Sequence, residues 1–438
     1  MHGKLNLFQA TMLRFRDLHP YVAVHMVNVA HPLDPARLKK RIEQRLESAG
    51  LTGFSLDRER KRFEFHGGPA AIELAILVGG ADLPAVAQTE IERQLNLAFP
   101  LEGEFMPFRF FAVDAGKTFQ LGIAYDHFIA GGDSIAVLLE KVVTFAAPDS
   151  EEIPSVWAPR RYPRTYSRLF LRHLGYALRG LARLPSMMAS CRRSYRAPCR
   201  PDRAATNAFL SFRVAPTEFA ALLRTAKAWG VTLNDLFLAM LLQALAPIAP
   251  NRAAARTRNE LAVASIVNLR GEFESDASDT FGQFLASLRV SHPVPPGIGL
   301  RQLAVDLHAE TGRVKRDKLY LQTLLALAWA ALAWRFLRPE RRRGFLAKHY
   351  PIWAGVTGLN IDPLWPESPA HGAPLEYLRA VPTGPLAPMV FAITTFRGAM
   401  QVGVSFRSAD VSRETALRVA TFFLQQVREL ESCTDQRC

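Results

Sequence analysis

The sequence predicts an α/β protein built from two lobes of comparable size. Three observations carry that expectation. Strand-like runs with period-two alternation take turns with helical runs of 3.6 spacing through the first 150 residues. The same alternation restarts after about residue 205, and a stretch rich in proline and arginine separates the two regions. The expected organisation is an N-terminal lobe over 1–150, a crossover segment over 151–204 and a C-terminal lobe over 205–438. With 438 residues, 49% of them hydrophobic, the chain has ample material for buried cores.

In the first lobe, Val22 to Val29 is strand-like and Asp34 to Ser48 has helical spacing with a cap at each end. Arg62 to His66 reads as a short strand, Ala85 to Leu97 as a helix and Phe105 to Val113 as a strand. Phe119 to His127 is the clearest strand. Phe119, Leu121, Ile123, Tyr125 and His127 fall on one face, and Gln120, Gly122, Ala124 and Asp126 on the other. The turn Ala130-Gly131-Gly132-Asp133 follows, and Ser134 opens a helix to about Val143.

In the second lobe, Ala208 to Val214 is a strand, and Pro216 to Trp229 and Leu233 to Leu245 are helices. Leu261 to Asn268 and Trp353 to Ile361 read as strands around the apolar helix Leu321 to Leu337. Met389 to Phe396 and Met400 to Phe406 form a hairpin around Arg397-Gly398, and a last helix runs from Val411 to about Leu430.

Net charge is +14, and its placement is informative. Between Pro159 and Pro201 there are eleven arginines and no Asp, Glu or Lys. Tyr166 to Leu184 reads as one helix in which Arg168, Arg172, Arg179 and Arg183 lie within about 60° of one another. A second basic cluster, Arg335, Arg338, Arg341, Arg342, Arg343 and Lys348, follows the apolar run Leu324 to Trp334. Two readings stay open: an anionic membrane surface, or a solvated linker helix. Nucleic acid is not expected, because the stripe alternates with Leu rather than with stacking aromatics and no zinc-finger spacing is present. The run at 324–334 is too short to span a bilayer, which needs about 20 residues.

Cys191, Cys199, Cys433 and Cys438 form no C-x-x-C pair and no cluster with histidines, so no structural metal is predicted. The opening residues carry no secretory pattern. A reducing, cytoplasmic compartment is the expectation, with a peripheral position on the inner face of the membrane as the variant the arginines suggest.

His127 is the candidate for chemistry. It ends a strand, precedes two glycines and faces the start of a helix whose free N–H groups and dipole are positive. An imidazole there, neutral near pH 7, can take a proton from an alcohol or amine attacking a carbonyl.

The segment Tyr125-Asp126-His127-Phe128-Ile129-Ala130-Gly131-Gly132-Asp133-Ser134 resembles the His-His-x-x-x-Asp-Gly active-site motif of the CoA-dependent acyltransferase superfamily. That superfamily includes chloramphenicol acetyltransferase, wax-ester synthases and the condensation domains of nonribosomal peptide synthetases. Gly230 to Ala239 is similar to its Thr-x-Asn-Asp helix start, and Val267-Asn268-Leu269-Arg270 to its Asn-Leu-Arg segment. Gly358-Leu359-Asn360 and Thr394-Thr395-Phe396 resemble its later strands. Two positions depart from the motif: Asp126 replaces the first histidine, and Gly131 replaces the aspartate.

The resemblance implies two chloramphenicol-acetyltransferase-like lobes with mixed sheets flanked by helices, forming a central substrate tunnel. It implies an acyltransferase with His127 as general base and Gly131, Gly132 and Thr395 as loop or oxyanion candidates. Arg270 matches the family arginine that pairs with the missing aspartate, leaving Asp126 and Asp133 as candidate replacements. Asn234 and Asp235 are expected to cap a helix rather than to act on substrate. The implied donor is an acyl thioester on coenzyme A or on the phosphopantetheine arm of an acyl carrier protein, used as substrate, with no tightly bound cofactor. The acceptor is a hydroxyl or amine, in lipid or secondary-metabolite biosynthesis. A stand-alone protein working with a carrier in trans is expected; the competing reading is a non-catalytic module that recruits a carrier protein or partner enzyme.

Overall fold

The computed structural model describes residues 1–80, 82–146, 166–200, 206–252, 255–273, 280–365 and 376–435. In the N-terminal half the order is β1 (His2–Lys4), α1 (Leu7–Arg16), β2 (Val22–Val29), α2 (Pro35–Ser48), β3 (Phe54–Asp57) and β4 (Arg62–Phe65). Next come β5 (Leu74–Val78), α3 (Leu83–Asn96), β6 (Gly103–Glu104), β7 (Phe108–Asp114), β8 (Phe119–Asp126) and α4 (Gly132–Ala146). Three short helices follow: α5 (Tyr166–Arg172), α6 (Leu174–Ala182) and α7 (Leu184–Arg193).

The C-terminal half contains β9 (Asn207–Val214), α8 (Pro216–Trp229), α9 (Leu233–Leu245), β10 (Leu261–Asn268) and β11 (Leu285–His292). It continues with α10 (Leu300–Arg316), α11 (Tyr320–Phe336), α12 (Pro339–His349), β12 (Ala354–Asn360) and β13 (Tyr377–Ala380). The hairpin β14 (Met389–Phe396) and β15 (Ala399–Arg407) precedes α13 (Arg413–Asp435).

These strands form a five-stranded sheet β13-β2-β8-β7-β5, a six-stranded sheet β11-β10-β12-β14-β15-β9 and a small sheet β1-β4-β3-β6. Both large sheets are mixed: β5 pairs with β7 in parallel, as β12 does with β10 and β14, and the other pairs are antiparallel. The expected two-lobed α/β fold is therefore observed, with one crossing. β13, from the C-terminal half, completes the N-terminal sheet by pairing with β2, Arg379 opposite His25. It is a four-residue strand without alternation strong enough to announce itself.

Each large sheet is buried by helices. Ile42 and Leu46 of α2 and Ile135 and Leu139 of α4 join Leu121 and Ile123 of β8 in one core, while Ile91 and Leu95 of α3 cover Phe111 and Ala124 on the other face. In the C-terminal half, Leu238 and Leu242 of α9 and Phe423 of α13 pack on Val402 and Val404. Thr232 caps α9 in a reciprocal box with Asp235, whose carboxylate also meets Thr311 Oγ1 at 2.6 Å and His308 Nδ1 at 2.8 Å. Asn234 accepts a bond from Ser265 at 2.8 Å.

The single helix expected from Tyr166 to Leu184 does not form. Breaks at His173 and Arg183 divide it into α5, α6 and the start of α7. Arg172 donates to the carbonyls of Glu272 (3.4 Å) and Phe273 (3.0 Å). Arg183 pairs with Asp317 at 3.5 Å, and Arg179 lies over the Tyr176 ring. The Arg168 side chain lies outside the described residues, as do 147–165 and 201–205 of the crossover. Among the described residues, no single helix is long and apolar enough to cross a membrane.

Candidate functional site

A cavity of about 980 Å³ opens between the two large sheets. Its walls are largely apolar: Met12 and Phe15 from α1, Met187 from α7, and Leu327 and Ala330 from α11 all line it. At one end His25, Tyr125, His127, Gly132, Asp133 and Arg379 border the space, and the wall also carries the cations Arg192, Arg196, Arg258 and Lys348. A roomy apolar pocket with few convergent polar groups is the usual form of a small-molecule site.

His127 reaches this cavity because β8 alternates. The strand places Leu121, Ile123 and Tyr125 toward one core, and His127, one step past its end, continues that face. Its backbone N–H donates to Tyr21 O at 3.2 Å, and its ring sits beside Tyr21 and Tyr125, with centroids 5.5 and 5.9 Å away. Loss of water on burial, and then the positive Arg379, push its pKa down to about 3. The imidazole is therefore neutral at pH 7. Nδ1 has no hydrogen-bond partner among the described residues.

The loop after His127 is held by a buried ion pair. Arg270 Nε and Nη2 both donate to the Asp133 carboxylate, Nη2 at 3.3 Å from Oδ1. Nη2 also donates to Ser134 Oγ at 2.7 Å and Gly282 O at 2.8 Å, and Asn268 donates to Asp133 at 3.1 Å. Asp133 thus takes the arginine left open by Gly131. The exchange has a steric basis, since a Cβ at Gly131 would lie 2.7 Å from Asp133 Oδ1. Asp126 is engaged elsewhere: fully buried, it accepts from Arg16. Burial pushes the Asp126 carboxyl up to about 7 against the pull of that arginine.

The structure separates the oxyanion candidates. The Gly131 N–H is occupied by Gly282 O at 2.9 Å. Thr395 is not brought to the cavity, and its hydroxyl donates to Asn360 at 3.2 Å. Strand alternation turns Thr394 inward instead, where it accepts from Arg379 Nε at 2.8 Å. Gly132, at the first turn of α4, does border the cavity.

Three polar side chains at this end were not anticipated from sequence. His25 on β2 bridges two tyrosines, Nδ1 to Tyr377 at 2.7 Å and Nε2 to Tyr125 at 3.3 Å. Burial, followed by Arg379 and His127, holds its pKa well below the ordinary histidine value. Arg379 arrives on β13, which can lie close because position 403 is glycine: a Cβ there would sit 2.0 Å from Arg379 O. A lone histidine inside the apolar run Val22-Ala23-Val24-His25-Met26-Val27 was the available signal for His25; Arg379 and Tyr377 offered none. Among the described residues, no group of three His, Cys, Asp or Glu side chains is placed to hold a metal ion.

No protein-family model matches the chain, and no curated protein matches it. Solved structures do. The first condensation domain of the CDA synthetase superposes over 98% of this chain and 96% of that one, with a TM-score of 0.65 at 17% identity. The SgcC5 protein from Streptomyces globisporus, in complex with (R)-(-)-1-(2-naphthyl)-1,2-ethanediol and sucrose, gives 0.63 at 16% identity over 98% and 99%. The EpoB cyclization-docking bidomain from Sorangium cellulosum gives 0.70 at 12% identity over 98% and 85%. The chain has the two-lobed fold of condensation domains, and at these identities the likeness is one of fold.

Proposed function

We propose, with the condensation-domain fold as premise, that this protein transfers an acyl group from a thioester to a hydroxyl or amine acceptor. The observation that carries the reading is His127, a neutral imidazole on the wall of the large cavity, on a loop fixed by the Asp133–Arg270 pair. His127 would take the acceptor's proton as it attacks the thioester carbonyl. The donor would be acyl coenzyme A or an acyl carrier protein, supplied as substrate. The apolar walls favour a bulky apolar acyl or acceptor group, in keeping with a lipid or secondary metabolite. A structural relative bound to an aryl diol supports an alcohol as one acceptor class.

The competing reading, a module that only recruits a carrier or partner, draws on the missing motif aspartate at 131. Pairing of Asp133 with Arg270 favours the catalytic reading, because the loop keeps the support that an unpaired buried arginine would lack. The test is free-thiol release from a panel of acyl-CoA and acyl-carrier donors with mixed alcohol and amine acceptors. Release that needs both an acceptor and His127 is the expected result. Carrier binding with no release, unchanged in His127→Ala, would leave the recruitment reading standing in its place.

A further inference from the structure

The N-terminus of α4 and the guanidinium of Arg379 meet at one point on the cavity wall. A Cβ built on Gly132 would lie 3.2 Å from Arg379 Nη1 and 3.4 Å from Leu359 Cδ2. Arg379 is only 3% exposed. Its Nε donates to Thr394 Oγ1 at 2.8 Å, and its Nη2 to the carbonyls of Thr357 and Ile393, both at 2.7 Å. Nη1 has no hydrogen-bond partner among the described residues, and the side chain borders the cavity. The nearby carboxylate, Asp133, is committed to Arg270.

A buried cation without a counter-charge is costly unless something anionic is meant to meet it. The first-turn N–H groups of the 15-residue α4 add positive potential at the same place. The geometry also says how many oxygens fit. Arginine grips a carboxylate through two parallel N–H bonds from neighbouring nitrogens. Here Nε and Nη2 are already spent, so a single nitrogen faces the space. That arrangement suits one anionic oxygen.

We propose that Arg379 and the Gly132 end of α4 form an oxyanion site for the acyl transfer, a role that rests on the reading given above. As the nucleophile bonds to the thioester carbon, the carbonyl π pair moves onto oxygen and His127 takes the nucleophile's proton. The oxygen's new charge lies against Arg379 Nη1 and the Gly132 N–H. The pair then returns to re-form the carbonyl, the C–S bond breaks and the thiolate leaves with the proton held by His127. Bonds to Thr394, Thr357 and Ile393 fix the guanidinium beforehand, so it need not reorganise as charge develops.

The test uses two acyl-pantetheine analogues. One replaces the thioester by a trifluoromethyl ketone, whose neutral gem-diol hydrate yields a tetrahedral oxyanion once it gives up one hydroxyl proton; its partner carries an inert thioether. Wild-type protein is expected to prefer the ketone, and Arg379→Gln to lower that preference by about 10²-fold while thioether binding is kept. Arg379→Gln also removes bonds to three strand partners, so Gly132→Ala provides a second probe that crowds Nη1 and leaves the charge. It too is expected to reduce the preference. An undiminished preference in both variants overturns the oxyanion assignment alone. Failure of wild-type protein to bind either analogue overturns the acyl-transfer reading and this assignment with it.

Discussion

Arg270, just beyond β10, and Asp133, in the first turn of α4, are 137 residues apart in sequence and meet in a largely buried ion pair at the end of the loop that follows His127. The arginine brings the C-terminal half of the chain to the loop that carries the candidate base. That pairing makes the Asp-to-Gly change at 131 compatible with an ordered loop.

Asp133→Gly should therefore destabilise the fold by about 3 kcal/mol, since it removes the carboxylate that accepts from both Nε and Nη2 of the buried Arg270 guanidinium. Gly131→Asp alone should also destabilise, because its Cβ would fall 2.7 Å from Asp133 Oδ1. The double variant, with the carboxylate moved from 133 to 131, should recover stability relative to Asp133→Gly. Denaturant unfolding of the three proteins in a double-mutant cycle measures the coupling; strict additivity would contradict this account.

Neighbouring threonines should behave oppositely. Thr394 accepts from Arg379 Nε, whereas Thr395 bonds Asn360 away from the cavity. Thr394→Val should lower turnover by about tenfold or more through loss of guanidinium positioning, a cost of about 1.4 kcal/mol. Thr395→Val should leave it unchanged. Equal effects of the two, measured as kcat on one donor and acceptor, would place the responsible group elsewhere.

Stability should depend on pH through His127. Its folded pKa is about 3 and its ordinary value 6.5, so between these limits the unfolded chain binds the extra proton. The contribution is intact above pH 6.5 and is lost as pH falls toward 3. Comparing pH 7 with pH 4.5, wild-type protein should lose about 2 kcal/mol more than His127→Ala. Thermal melts of the pair at the two pH values provide the check, and parallel losses would mean that the imidazole is not held neutral.

Cavity length should govern the acyl chain. Ala326, Ala330 and Ala333 line it at spacings of four and three along α11, one small-residue face. Ala330→Phe should shift donor preference toward shorter acyl chains by about tenfold, an effect expected of a few filled methylenes. Competition between long and short acyl-CoA donors reads it directly, and no shift would mean that the chain lies elsewhere.

Much of this architecture was legible in the residues. The limits of α8, α9, β10 and β14 match the sequence reading, because caps, β-branched runs and turn glycines act locally. The alternation from Phe119 to His127 correctly put the imidazole on the face of Tyr125. The Tyr166–Leu184 helix did not survive intact, since its periodicity said nothing of the partners Glu272, Phe273 and Asp317 that hold Arg172 and Arg183. Residues 274–279 and 366–375 lie outside the described structure.

The sequence by itself determined the α/β alternation, the place of His127 at the end of a strand and the absence of the motif aspartate at 131. Those are properties of local spacing and residue type. Tertiary structure alone decided that Asp133 rather than Asp126 meets Arg270, that Thr394 rather than Thr395 faces inward, and that Arg379 enters the site. The physical reason is the same in each case. These side chains are brought together by pairing between distant strands, β13 on β2 with Gly403 allowing the close approach, and by desolvation of charges inside the resulting cavity.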